Sequence, residues 1–125
     1  MFYGDAHIGR SVMRRVKVVE VDDADGIQKV TVQGLKGEYF KMPYRGQPHG
    51  MSSVPEVGMV GYVFMASGRP DQAFLMGLED PELRPKDKVG GETRIYGKHE
   101  NLAEFDDNGN ILLHSPNGII HLNPP

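Results

Sequence analysis

Five histidines, at positions 7, 49, 99, 114 and 121, are the side chains best placed to move a proton or hold a metal near neutral pH, and none stands in a ligand pattern. His114 and His121 lie seven residues apart, with neither His-Glu-x-x-His nor His-x-His spacing. Strand alternation sets Ile111 with Leu113, and Ile120 with Leu122, opposite the two imidazoles, so the histidines read as solvated. A ring of one His per chain on a three-fold axis is the sharper alternative. Ser52, Ser53 and Ser67 could serve as nucleophiles only with a base and a strand-turn-helix elbow around them, and no Gly-x-Ser-x-Gly occurs. They read as turn residues. The acidic runs Asp22-Asp23-Ala24-Asp25-Gly26 and Asp106-Asp107-Asn108-Gly109-Asn110 resemble the start of a calcium loop but do not continue with its Gly and bidentate Glu spacing. Both read as Asx-rich turns. Glycoside hydrolysis needs two carboxylates facing across a cleft, and these acids sit on turns at opposite ends of hairpins. No catalytic residue, metal site or cofactor is expected.

The elements that carry these residues are strands. With 16 Gly and 9 Pro in 125 residues, few intervals could hold an amphipathic helix, so the composition is all-β. Residues 15–22 alternate as a strand in which Val16 and Val18 share one face and Val19 and Val21 the other; the change of phase predicts a bulge. A turn at 22–26 leads into a returning strand at 27–33 with Val30 and Val32 on one face. A third strand at 38–44 sets Phe40, Met42 and Tyr44 together as core, with Pro43 confining its end to an edge or a bulge. A long loop, 45–58, is too rich in Gly, Pro and Ser for regular structure. Runs 59–65 and 73–78 are nearly continuous in apolar residues and are expected as a central hairpin buried on both faces. Five strands in this order fit a small barrel of the oligonucleotide/oligosaccharide-binding (OB) type. The expected organisation is an arm at 1–12, the OB domain at 13–82, a polar linker at 83–92 and a repeating tail at 93–125.

The tail is the most informative stretch, because Asn108-Gly109 recurs nine residues later as Asn117-Gly118. Asn-Gly suits two successive positive φ angles, and each copy precedes an apolar run, Ile111-Leu-Leu and Ile119-Ile. Strands this short cannot bury themselves, and a repeat of this kind is stable where copies stack or chains wind together. Three copies forming a prism would fill its interior with Ile111, Leu113, Ile120 and Leu122, each contributing about 1.5–3 kcal/mol on burial. A one-residue slip would instead turn Leu112 and His114 inward.

Composition narrows the partners. The chain has no Cys, which removes disulfides, thiolate metal sites and a cysteine nucleophile. No apolar run approaches the roughly 20 residues that span a bilayer, and the N-terminus lacks the order of a secretory signal, so synthesis in a cytoplasm without membrane anchoring is expected. A net charge of -3 argues against a duplex nucleic acid partner. A monomeric OB module for single-stranded nucleic acid or a glycan is the rival reading. Its groove would be formed by Tyr39, Lys41 and Arg45, a thin set of aromatic and basic residues.

Arg14-Arg15-Val16 entering the first strand, Ile27-Gln28 opening the second, Gln47-Pro-His-Gly-Met-Ser-Ser-Val-Pro55 before a buried strand, Arg84-Pro85 after the barrel, and Gly91-Glu-Thr-Arg-Ile-Tyr-Gly97 leading into Asp107-Asn-Gly-Asn-Ile111 occur in one order. In that order the chain resembles the Mu-type phage baseplate assembly protein family, the central spike of contractile tails, and in outline the spikes of type VI secretion systems. The resemblance covers nearly the whole chain. It implies an N-terminal OB barrel and a triple-stranded β-helix in which three chains intertwine to cap the tail tube, organise the hub and point at the host envelope. It further implies a structural, non-enzymatic homotrimer in the virion tail baseplate, with hub, tube or baseplate proteins as partners, the N-terminal dozen residues among the contacts. The chain departs from the family in lacking a His-x-His tip and ends at Asn123-Pro124-Pro125, which implies no tip metal and either a separate tip protein or a longer parent chain. No lysozyme-like insertion separates barrel and tail.

Overall fold

The computed structural model describes residues 12–42 and 44–123; the expectations for the N-terminal arm and for Pro43 fall outside them, apart from Val12. The described residues form strands, turns and two short 3-10 turns at Ala66–Gly68 and Pro70–Gln72, with no α-helix. The chain divides into two compact units, one up to Pro81 and one from Glu82 onward.

In the first unit β1 (Val12–Asp22) is the long central strand. It pairs antiparallel with β2 (Lys29–Gln33) on one side and with β5 (Val60–Met65) on the other. Opposite β2 the register slips between Val18 and Glu20, which is the bulge required by the change of phase in the valines. Asp22 closes the intervening turn by accepting the Ala24 N–H at 3.0 Å. The core is one layer of side chains on the inner face: Val16, Val18, Val30, Val32, Phe40, Val63, Met65 and Leu75.

The third strand differs from expectation. It breaks at Met42, whose φ of 59° takes the backbone out of the β region. One piece, β3 (Tyr39–Phe40), pairs with β2; the other, β4 (Tyr44–Arg45), pairs parallel with β6 (Ala73–Glu79). Phe40 alone reaches the core, and Met42 and Tyr44 are exposed. The sheet therefore has six strands in the order β3-β2-β1-β5-β6-β4, and no ladder joins its two edges, so the expected closed five-stranded barrel is not formed. The edges are nonetheless tied by only three residues. Four Cα steps span at most about 14 Å, whereas the edges of a flat six-stranded sheet lie about 24 Å apart. The covalent chain thus forces the sheet to roll over its core.

The β5–β6 hairpin is a second correction. It was expected to be buried on both faces, but only Gly61, Val63, Met65 and Leu75 are buried, while Tyr62 and Met76 are exposed. The two strands are interior in the sheet, as expected, but among the described residues the sheet is covered on one side alone. Near the open end of this hairpin the register slips between Val60 and Gly61, opposite the left-handed Gly77 and Leu78. A β-carbon on Gly61 would sit 2.6 Å from the Met76 carbonyl oxygen, so the close approach requires glycine.

The second unit is a meander of β7 (Thr93–Tyr96), β8 (Leu102–Phe105) and β9 (Ile111–His114). These strands pair antiparallel within one chain, in the order β7-β8-β9, so strands expected to depend on stacked copies or intertwined chains have ladder partners in their own chain. Residues 119–123, expected as a further strand, pair with nothing among the described residues.

Candidate functional site

The tail frame has a period of nine, and it starts two copies earlier than the Asn-Gly pairs reveal. Left-handed residues occur at Gly91, Glu100, Gly109 and Gly118, with φ of 92°, 67°, 85° and 73°. Each lies at a turn: Gly91 before β7, Glu100 between β7 and β8, Gly109 between β8 and β9, and Gly118 after β9. Asn108 and Asn117 are not left-handed, so these are not the doubly positive turns expected from Asn-Gly. Instead the Gly109 N–H bonds back to the Asp106 carbonyl at 3.4 Å, and the Asp106 N–H to the Asn110 carbonyl at 3.1 Å. That is a longer hairpin loop in which one left-handed residue follows the tight turn.

Asp106 anchors the turn that its Asx-rich sequence led one to expect. Its carboxylate accepts the Asn108 N–H at 3.0 Å, the Asn110 N–H at 2.8 Å and the Asn110 amide at 3.1 Å. The Asn110 backbone bond, above all, holds its carboxyl below the usual carboxylate range. Ser115 takes the same place one period later, accepting the Gly118 N–H on its carbonyl at 2.9 Å. The signal was present: Asp, Ser, Asn and Gly at a nine-residue interval mark turn frames as well as their tips.

Register decides which side chains the turns present together. Thr93, Phe105 and Ile111 form one row across the meander, and Ile95, Ala103 and Leu113 the next on the same face. The opposite face carries Arg94, Glu104 and Leu112, then Tyr96, Leu102 and His114. Leu112 and His114 are therefore not on the Leu113 face. Arg94 and Glu104 form a half-buried cross-strand ion pair. The first face is bare: Ile111 is 70% and Leu113 60% exposed, with Ile95 and Phe105 exposed beside them. Ile120 and Leu122, the other two residues expected in a trimer core, are 52% and 82% exposed and lie off the sheet. A cleft of about 490 Å³ is lined by Ile95, Leu102, Leu113, His114, Ile119 and Ile120, among others. The structure thus joins Ile111 and Leu113 on one face and adds Ile95, Ala103 and Phe105, which sequence reading had left out.

The residues considered for chemistry do not converge. His49, His99, His114 and His121 are exposed and scattered, and among the described residues no three His, Asp or Glu side chains gather to hold a metal. Ser67 lies in a 3-10 turn with φ of 53°. Ser53 does have a partner, but it is Arg45. The Arg45 guanidinium donates to the Gln28 Oε1 at 2.8 Å, the Ser53 carbonyl at 3.0 Å and the Ser53 Oγ at 2.6 Å. Gln47 accepts the Ser53 N–H at 2.8 Å, and Gln28 donates to Asp23 at 3.0 Å. Burial lowers the Arg45 value, partly offset by the Asp23 carboxylate. Arg45 therefore ties the long loop to the β1–β2 turn and is committed there, which withdraws it from the proposed nucleic acid groove with Tyr39 and Lys41.

Among the described residues no three His, Asp or Glu side chains gather as a cluster; what the two units offer is apolar strand surface held by turns. The family model described as Bacteriophage Mu Gp45, N-terminal, matches residues 15–82, from β1 to just past β6. The chain belongs to the bacteriophage Mu Gp45 family. A search of curated proteins finds no match. As a Gp45 family member the chain has a structural role in the phage tail and baseplate, in association with other proteins of that assembly. The match ends before the tail meander. No helix among the described residues is long and apolar enough to cross a membrane.

Proposed function

We propose that this Gp45 family chain is the homotrimeric central spike and hub of a contractile tail baseplate, closing the tube and helping to pierce the host envelope without catalysis. The observation that carries the reading is the bare apolar face of the β7–β8–β9 sheet. Exposed on a monomer, such a face and its two strand edges would promote aggregation; packed against two copies it becomes the interior of a prism. Ile111 and Leu113, with Ile120 and Leu122 from the segment after the last turn, form that interior, and the turns at Asn108-Gly109 and Asn117-Gly118 set its repeat. Intertwining of the three chains as a β-helix is supported by residues 119–123, which form no ladder with the outer edge of β9 in their own chain. A closed prism resists compression, which a piercing tip requires. A separate tip protein is a further partner in this reading.

The first unit is proposed as an OB-type sheet, rolled over its core without a ladder that closes it. If β3 and β4 are taken as the two halves of one strand, that strand runs from the β2 edge to the β6 edge. The rolled sheet and the parallel β4–β6 pairing support this. The rival module for single-stranded nucleic acid or a glycan loses one of its two basic residues, Arg45, to the loop network, which leaves Lys41.

The test is the solution mass of the full chain and of a Leu113→Asp, Leu122→Asp double variant by light scattering. A trimer that dissociates in the variant is expected. A monomer in both would overturn the spike reading.

A further inference from the structure

Two surfaces of the first unit differ in charge and lie at opposite ends of β1. On the outward face Met13 of β1 lies opposite Phe64 of β5, Phe64 opposite Phe74 of β6, and Phe74 opposite Tyr44 of β4, so one apolar row crosses four strands. The next row sets Arg15 opposite Tyr62 and Tyr62 opposite Met76. The Phe64 and Phe74 rings meet at 5.2 Å between centroids. Met13, Tyr44, Tyr62 and Met76 are exposed. Strands with one solvated face should alternate to polar residues here, and only β1 does so, with Arg15 and Lys17. The result is an apolar band with a basic rim along β1; Glu79 stands in the Lys17 row two strands away, beyond Val60. The far end of β1 is the reverse. Asp22 lies on the order of 30 Å along the strand from Met13. There the turn at 22–28 and the loop at 46–58 are held together, since Gln28 donates to the Ser53 carbonyl at 2.9 Å and the Gly58 N–H to the Val18 carbonyl at 2.9 Å. The two segments carry Asp22, Asp23, Asp25 and Glu56 and neither Lys nor Arg; Lys29, just beyond, pairs with Asp25 at 3.4 Å. Ile27, Val54 and Val57 are exposed among these acids.

We propose that the first units of three chains join head to tail, the acid-rimmed turn-and-loop end of one copy docking on the basic-rimmed aromatic band of the next. The inference rests on the trimer reading above and names a second contact within it. Charge complementarity selects a copy of this chain as the occupant: each surface has an apolar centre, and the rim of one carries the charge that the rim of the other lacks. Because the two surfaces lie at opposite ends of β1, a single unit cannot satisfy itself. Band against band would set Arg15 and Lys17 against their own equivalents, and end against end would do the same with the carboxylates, so two-fold pairing is disfavoured. A contact between two different patches is heterologous and continues around an axis until it closes. A three-fold tail sets that closure at three. The ring withdraws Phe64, Phe74 and Tyr62 from solvent together with Ile27 and Val57, and gives the proposed hub a collar that does not depend on the tail prism alone.

The parent chain has no Cys, so thiol cross-linking can test the contact at chosen sites. Met13→Cys and Ile27→Cys are placed together in the full chain, treated with a short bismaleimide and read on a denaturing gel, with the solution mass of the same sample measured by light scattering. Products of two and three linked chains are expected, and neither single variant should link chains. Adding Arg15→Glu and Lys17→Glu should cut the linked yield several-fold, and adding Asp23→Lys and Asp25→Lys to those should restore it. The pair Ile27→Cys, Leu35→Cys controls for tethering by the tail, because Leu35 is exposed toward the Met13 end of the sheet but on the turn after β2. Equal yield from the control pair would overturn the proposal, as would a yield indifferent to the charge reversals. A linked product from a single variant would assign that surface to a two-fold contact and overturn it too. A trimeric mass with no linked product would overturn this contact and leave the tail trimer standing, whereas a monomeric mass would remove both.

Discussion

Glu100 and Asp106 show how single residues set the tail frame. Glu100 holds φ at 67° in the position that Gly109 and Gly118 occupy in the next two periods. A left-handed conformation costs a residue with a β-carbon about 1–2 kcal/mol, part of which glycine gives back through its larger unfolded-state entropy. Glu100→Gly should therefore stabilise the tail by about 0.5–1 kcal/mol, seen as a raised midpoint in thermal unfolding; a lowered midpoint would mean that the Glu100 side chain makes contacts that outweigh its backbone strain. Asp106 makes a pH prediction. Its folded value is depressed by the Asn110 and Asn108 bonds, so the stability it contributes is complete above the unfolded value of about 3.9 and is lost as pH falls through the folded one. The Asn110 amide resonance should shift on acidification below about pH 4, and Asp106→Ala should abolish that titration. A shift unchanged in the variant would assign the acid sensitivity to another carboxylate.

At the scale of elements, the long loop and the split third strand depend on each other. Strand β4 ends in Arg45, and the same arginine ties Ser53 and Gln28 together, so the break at Met42 and the course of residues 46–59 are one arrangement. Hydrogen bonds from a charged donor are worth about 1.5–3 kcal/mol. Arg45→Ala should raise amide exchange and protease cleavage in the loop and cost about 2 kcal/mol, with no change in oligonucleotide affinity; a selective loss of oligonucleotide binding would revive the rival module. The bulge in β1 and the faces of β2 were legible because consecutive valines leave a single solution for which side is buried. The break in β3 was not, because Phe40, Met42 and Tyr44 alternate correctly for one continuous strand. Only the competing pairing with β6 draws Tyr44 away. The hairpin β5–β6 was misread for a related reason: an apolar run shows that both faces avoid water and is silent on whether both are covered by the same chain.

For the whole molecule, assembly is the property that ties the parts together. If the tail folds as a trimer, its melting temperature must rise with protein concentration, as mass action requires of an associated state, and the concentration dependence should vanish in the Leu113→Asp, Leu122→Asp variant. A melting temperature independent of concentration in the parent chain would count against the proposed prism. The sequence by itself determined the all-β class, the strand at 15–22 with its bulge and the nine-residue rhythm of the tail, because these follow from local periodicity and from turn residues whose preferences act over a few positions; the kinship with the Gp45 family was legible in the order of its motifs. Tertiary structure alone decided that the third strand divides between two sheet edges, that Arg45 serves a loop, and that Ile95, Ala103 and Phe105 join Ile111 and Leu113 on one face. Those outcomes depend on which distant strands pair and in what register, and one residue of register exchanges every side chain between the two faces.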